Sequence, residues 1–124
     1  FQTLLLIDDD EDDQEIFITA AGEVSRDVSC MAFHDAREAL DKLSRREISP
    51  DVIFLDLNMP IMDGHQFLAE IKKNPELTDI PIIIFSTSSH PNTIEADKAM
   101  GAHDFITKPG LYDELVSILR PILT

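Results

Sequence analysis

This chain predicts an α/β fold built around a parallel sheet, and three observations carry that expectation. Apolar runs of four to six residues alternate with amphipathic segments of roughly ten to fourteen, the rhythm of βα units. Three of those runs, Leu4-Leu5-Leu6-Ile7, Val52-Ile53-Phe54-Leu55 and Ile82-Ile83-Ile84-Phe85, are apolar throughout, as strands covered by helices on both faces should be. Each of the three then stops at side-chain oxygen: Asp8 and the acidic run after it, Asp56, and Ser86 with Thr87. In open parallel sheets the functional crevice lies beyond the carboxyl ends of the strands, so these ends should converge.

Taken in order, the expected strands cover residues 3–8, 28–33, 51–56, 82–86 and 104–107. The second and fifth are less apolar and belong at or near the sheet edges. Gly22 is the expected end of the first helix, after Glu15, Ile16, Ile18 and Thr19. Asp35 is the expected cap of the second, which runs through Ala39, Leu40 and Leu43 until Ser49 and Pro50 end it. The third begins after Asp63 and Gly64, sets Phe67, Leu68 and Ile71 on one buried stripe, and stops at Asn74 and Pro75. The fourth, about 92–100, carries few large apolar residues and ends at Gly101, so it is expected to be the least firmly held. The fifth places Leu111, Leu115, Ile118, Leu119 and Ile122 on one face, with Pro121 near its end. Tyr112, Val116 and Arg120 fall off that stripe and read either as a solvated edge or as part of a dimer face.

A length of 124 residues fits one domain, 1–124, able to bury a core without staples. The longest apolar stretches are too short to span a bilayer. One cysteine, Cys30, makes no internal disulfide, and the four histidines lack metal-ligand spacing, so neither a disulfide scaffold nor a zinc site is expected. A reducing cytoplasm is the simplest home. With 24 acids against 10 bases the formal charge is -14, which the phosphate backbone of nucleic acid would repel. The chain opens at Phe1 without an initiator methionine, which suits a fragment or a trimmed chain.

The predicted strand ends gather Asp8, Asp9, Asp56, Ser86 and Lys108. Carboxylates brought that close repel unless a cation offsets them. Mg²⁺ prefers octahedral oxygen coordination, keeps several waters and takes one or two carboxylates, so Asp9, Asp56 and water suffice, with Asp8 acting through water. A carboxylate can accept a phosphoryl group when metal, ammonium and hydroxyl donors neutralise the charge on the transferring oxygens. Lys108 and Ser86 are the expected donors.

The order Leu6-Ile7-Asp8-Asp9-Asp10, Ile53 to Pro60 with Met62-Asp63-Gly64, Phe85-Ser86-Thr87, Gly101-Ala102 ahead of Phe105, and Lys108-Pro109 resembles the receiver domain of two-component response regulators, over essentially the whole chain. The resemblance implies a flavodoxin-like three-layer (βα)5 sandwich with sheet order 2-1-3-4-5. It implies phosphorylation of Asp56 by a histidine-kinase phosphohistidine or a phosphotransfer protein, with Mg²⁺ bound by Asp8, Asp9, Asp56 and the backbone carbonyl of Asn58. It further implies Ser86 as the switch hydroxyl, Lys108 as the phosphate-binding lysine and Phe105 as the switch aromatic. The surface formed by the fourth helix, fifth strand and fifth helix would control a partner, a second copy or an output domain, with no turnover of an external substrate. Three features qualify the pattern. Ser86 stands where many members have threonine and lacks the methyl that restricts rotamers; Phe105 lacks a tyrosine hydroxyl; Gly110 follows Pro109 where a large residue is common.

Plainer readings compete with these. Asp10, Glu11, Asp12 and Asp13 read as a solvated face, with Asp12 or Asp13 as a helix cap. A calcium loop starting at Asp8 fails, because its sixth and twelfth positions are Asp13 and Thr19 instead of Gly and Glu. His34, His65, His90 and His103 read as structural or exposed. Other function classes are a Mg²⁺-dependent phosphatase, for which 124 residues leave little room, a pseudo-receiver acting only as an interaction module, and a flavin-binding module, whose phosphate the carboxylates would repel.

Overall fold

The computed structural model describes residues 3–57, 62, 64–87 and 91–123, with the side chains of 91–93 outside the description. Five strands and five helices alternate: β1 (Thr3–Ile7), α1 (Glu11–Val24), β2 (Ser29–Phe33), α2 (Ala36–Ser44), β3 (Val52–Leu55), α3 (Gly64–Lys73), β4 (Ile82–Ser86), α4 (Pro91–Ala99), β5 (Asp104–Thr107) and α5 (Tyr112–Leu123). All pairings are parallel and the order is β2-β1-β3-β4-β5, so the two less apolar strands are the edges, as their composition predicts. This is the flavodoxin-like arrangement.

Strand parity sorts the core into two layers. Leu5, Ile7, Ile53, Leu55, Ile82 and Ile84 face α2 and α3, meeting Leu43, Phe67, Leu68 and Ile71. Leu4, Leu6, Val52, Phe54, Ile83 and Phe85 face α1 and α5, meeting Phe17, Ala20, Leu115 and Leu119. The register Ile7↔Leu55 continues into Asp56 N–H donating to the Ile7 carbonyl at 2.9 Å, which sets Asp8 and Asp56 side by side beyond the ladder.

Helix boundaries depart from expectation at identifiable places. Asp10, not Asp12 or Asp13, caps α1, its carboxylate accepting from the N–H groups of Asp12 and Asp13 at 2.9 and 3.2 Å. Gly22 lies inside α1, and the chain leaves the helix at Ser25. Asp35 does cap α2. That helix stops at Ser44, well before Ser49 and Pro50, because Arg46 takes a left-handed φ of 60° and Glu47 N–H returns to the Lys42 carbonyl. This is a Schellman turn built without glycine. At the end of α4 the same turn uses Gly101, φ 109°, with Ala102 N–H bonded to the Asp97 carbonyl and Gly101 N–H to that of Lys98. In α5, Val116 is buried with Leu115, Leu119 and Leu123, while Leu111 is exposed, so the buried stripe is rotated from the expected one and Val116 belongs to no free edge.

Candidate functional site

Beyond the carboxyl ends of β1, β3 and β5, four charged side chains meet. Lys108 directs Nζ at Asp8 Oδ2 (2.6 Å), Asp13 Oδ2 (2.9 Å) and Asp56 Oδ2 (3.4 Å). Asp8 is fully buried and Asp56 nearly so, whereas Asp9 is exposed; carboxylate oxygens of these three lie within 4.8 Å of one another. Oxygen-only donors at that spacing, two buried and one open to water, fit a hard divalent cation that keeps part of its hydration.

Each group is positioned by local structure. Asp8 follows the last rung of β1, and its Oδ1 accepts the Asp10 N–H at 3.0 Å. The buried Gln14 donates its side-chain amide to the Asp8 carbonyl at 2.7 Å, fixing the strand-to-helix turn. Asp13, read from the sequence as solvated or a cap, turns inward one helical turn after Asp10 and holds Lys108. Lys108 N–H donates to the Ser86 carbonyl at 2.9 Å, and its ammonium lies 5.7 Å from the Phe85 ring centroid.

The electrostatics follow from this packing. Burial raises the Asp8 carboxyl above its ordinary value, against the opposing hydrogen bonds from Lys108 and the Asp10 amide. Burial would lower Lys108, but its hydrogen bonds to Asp8 and Asp13 and the charges of Asp8 and Asp56 outweigh that and hold the ammonium above its ordinary value. It therefore stays charged at neutral pH.

Ser86 is fully buried at the end of β4. By parity it falls on the face of Ile82 and Ile84, and Phe105 packs half-buried against that same layer. The acid–lysine group thus lies toward α1 and α5, while Ser86 and Phe105 lie toward α3 and α4. Asn58 and Asp63 lie outside the described residues. Unforeseen from the sequence is a hydrogen bond between α3 and α4: His65 Nε2 stands 2.6 Å from Oδ1 of the buried Asp97.

Residues 4–120 match the response regulator receiver domain family. The chain is 30% identical over 130 aligned residues to response regulator Rcp1 of Synechocystis sp., covering 98% of this chain and 86% of Rcp1. The Mn²⁺-bound form of Rcp1 superimposes with a TM-score of 0.83 at 27% identity, over 98% of this chain and 91% of that one. The phosphorylated cyanobacterial phytochrome response regulator RcpA gives a TM-score of 0.88 at 29% identity, over 98% and 90% of the two chains. A protein-glutamate methylesterase/protein-glutamine glutaminase of Methanococcoides burtonii is 41% identical over 92 residues, 73% of this chain but only 25% of that relative's length.

Proposed function

Because the chain belongs to the response regulator receiver domain family, we propose that Asp56 accepts a phosphoryl group from the phosphohistidine of a sensor histidine kinase or phosphotransfer protein. The observation that carries this reading is the single ammonium of Lys108 bridging Asp8, Asp13 and Asp56 at the mouth of the sheet. An Asp56 oxygen attacks phosphorus, the P–O bond forms as the P–N bond breaks, and the imidazole leaves with the electron pair. Lys108, already 3.4 Å from Asp56, neutralises charge on the transferring oxygens. Asp8, Asp9, Asp56 and the Asn58 carbonyl would hold Mg²⁺, which when bound would supply further positive charge at the phosphoryl oxygens. The buried Phe85 ring, 5.7 Å from the Lys108 ammonium, keeps the local dielectric low, so each of these charges acts strongly.

In this reading the chain, 1–124, is one receiver domain in the cytoplasm and turns over no external substrate. Ser86 moves toward the phosphoryl group and Phe105 turns into the space it leaves. The α4-β5-α5 surface then changes and engages its partner, a second copy or an output domain; the chain's net charge of -14 makes nucleic acid an unsuitable direct ligand.

Incubation with acetyl phosphate and Mg²⁺, read by intact mass, should add one phosphoryl group, and Asp56→Asn should abolish it. Beryllofluoride, added as a phosphoryl mimic, should change hydrogen exchange from Ser86 to Tyr112. Stoichiometric labelling of the Asp56→Asn variant would sink the acceptor assignment. Exchange changed only around Asp8 and Asp56 would sink the relay.

A further inference from the structure

A helix on a sheet is normally fastened by an apolar stripe, but among the described side chains of α4 the one that is buried is Asp97, at 0% exposure. Its Oδ1 accepts a hydrogen bond from His65 Nε2 at 2.6 Å, and its Oδ2 is buried with no hydrogen-bond partner among the described residues. A carboxylate removed from water is tolerated only beside a charge or donor, so His65 is what makes Asp97 tenable there. The same residue anchors the end of α4 through its backbone carbonyl, which accepts the Ala102 N–H at 3.0 Å.

His65 is itself tied to the acceptor end of the sheet. It follows Gly64, whose N–H donates to the Leu57 carbonyl at 3.2 Å. Gly64 sits so close to the strand end that a Cβ there would lie 2.7 Å from the Asp56 carbonyl oxygen and 2.8 Å from Leu57 Cα. Backbone at Asp56, the first turn of α3, His65, Asp97 and α4 therefore form one unbroken series of contacts.

We propose that the His65–Asp97 pair is a clasp that fastens α4 to α3 and ties the seating of α4 to the backbone at Asp56. The clasp itself does not depend on phosphoryl transfer; only its coupling to the acceptor rests on the receiver reading. A contact of this kind suits a surface that has to move. Apolar burial is released gradually with area, whereas one charged contact is either made or broken.

Amide hydrogen exchange on the full chain, without Mg²⁺ or phosphodonor, tests the clasp. His65→Ala leaves Asp97 buried and unpaired, so exchange across 94–100 should quicken on the order of tenfold or more while α1 and α5 are unaffected. His65→Gln retains a donor and should restore much of the protection. The double variant His65→Ala with Asp97→Ala removes the stranded carboxylate and should exchange more slowly than His65→Ala alone. Unchanged exchange of α4 in His65→Ala, or independent and multiplicative effects of the two alanines, would overturn the clasp. Should His65→Ala prove too unstable to measure, the His65→Gln and double variants decide: slower exchange in the double variant than in His65→Gln would overturn it. These readings use no phosphoryl donor, so they stand or fall separately from labelling at Asp56.

Discussion

The two sides of the sheet are fastened by different physics. On one, α1 and α5 pack over Phe17, Phe54 and Phe85, whose ring centroids lie 4.9, 5.5 and 6.5 Å apart in tilted and edge-on arrangements, with Leu115, Val116 and Leu119 closing the layer. On the other, α2 and α3 pack over an apolar layer of their own, but the described part of α4 offers the interior one buried residue, Asp97. Aromatic burial of the first kind resists displacement over a large area, and Asp13 and Lys108 of the acidic site stand directly on it. The acidic site thus stands on a firmly packed layer, and on the reading proposed above α4 is the element expected to move.

The largest effect should come from attacking the well-packed side. Phe17→Ala removes a fully buried ring that makes two of the three aromatic contacts and should cost about 3–5 kcal/mol of unfolding free energy. Ile94→Ala, on the half-buried face of α4, should cost well under half of that. Urea unfolding of both variants measures the asymmetry. Equal losses would mean that α4 is held by apolar burial after all.

An intermediate effect is expected where the rigid side meets the acids. Lys108→Ala leaves Asp8, Asp13 and Asp56 without their shared ammonium and should lower metal-free stability by roughly 1–3 kcal/mol. Mg²⁺ should recover part of the loss, because the same carboxylates then gain a cation. The sign with pH is fixed by the raised Lys108 value: its contribution is complete below the ordinary lysine value and is lost as pH rises through the higher folded one. Asp8, also raised, contributes the same way at the acid end, fully below the ordinary aspartate value and declining as pH rises through its higher folded value. A Lys108→Ala variant whose stability equals the parent's and is indifferent to Mg²⁺ would remove the ammonium from this account.

Much of this was legible in the sequence because it depends on period and position. Apolar runs that end in oxygen identify strand ends, and the strand order implied by the receiver-domain resemblance then places Asp8 beside Asp56 and Lys108 beside Ser86. What was not legible depends on pairing between distant elements. Asp13 and Asp12 are equivalent in composition, and only the angle of α1 over the sheet turns Asp13 toward Lys108. Val116 and Leu111 are both apolar at helical spacing, and which one is buried is set by the rotation of α5 against α1. His65 and Asp97 are ordinary polar residues on separate helices, and nothing local marks either as the other's partner. The end of α2 was misplaced for a different reason. Arg46 adopts a left-handed turn usually given to glycine, and its side chain is held there by an ion pair with Glu76.

The misjudged glycine supplies the smallest and sharpest test of the asymmetry. Gly22 was expected to end the first helix, but α1 continues to Val24 and the Gly22 backbone needs no left-handed conformation. A Cβ added there would meet nothing within 4 Å. Glycine inside a helix costs about 0.5–1 kcal/mol relative to alanine through its greater freedom in the unfolded chain, so Gly22→Ala should stabilise the protein by that amount. The gain should appear in the urea midpoint and in the slowest-exchanging amides of α1. Exchange of α4 by local opening should not change, since the contact that fastens α4 runs to His65 on α3 and not to α1. Slower local opening of α4 in Gly22→Ala would show that the two sides of the sheet share one fastening, and the contrast between them would fail.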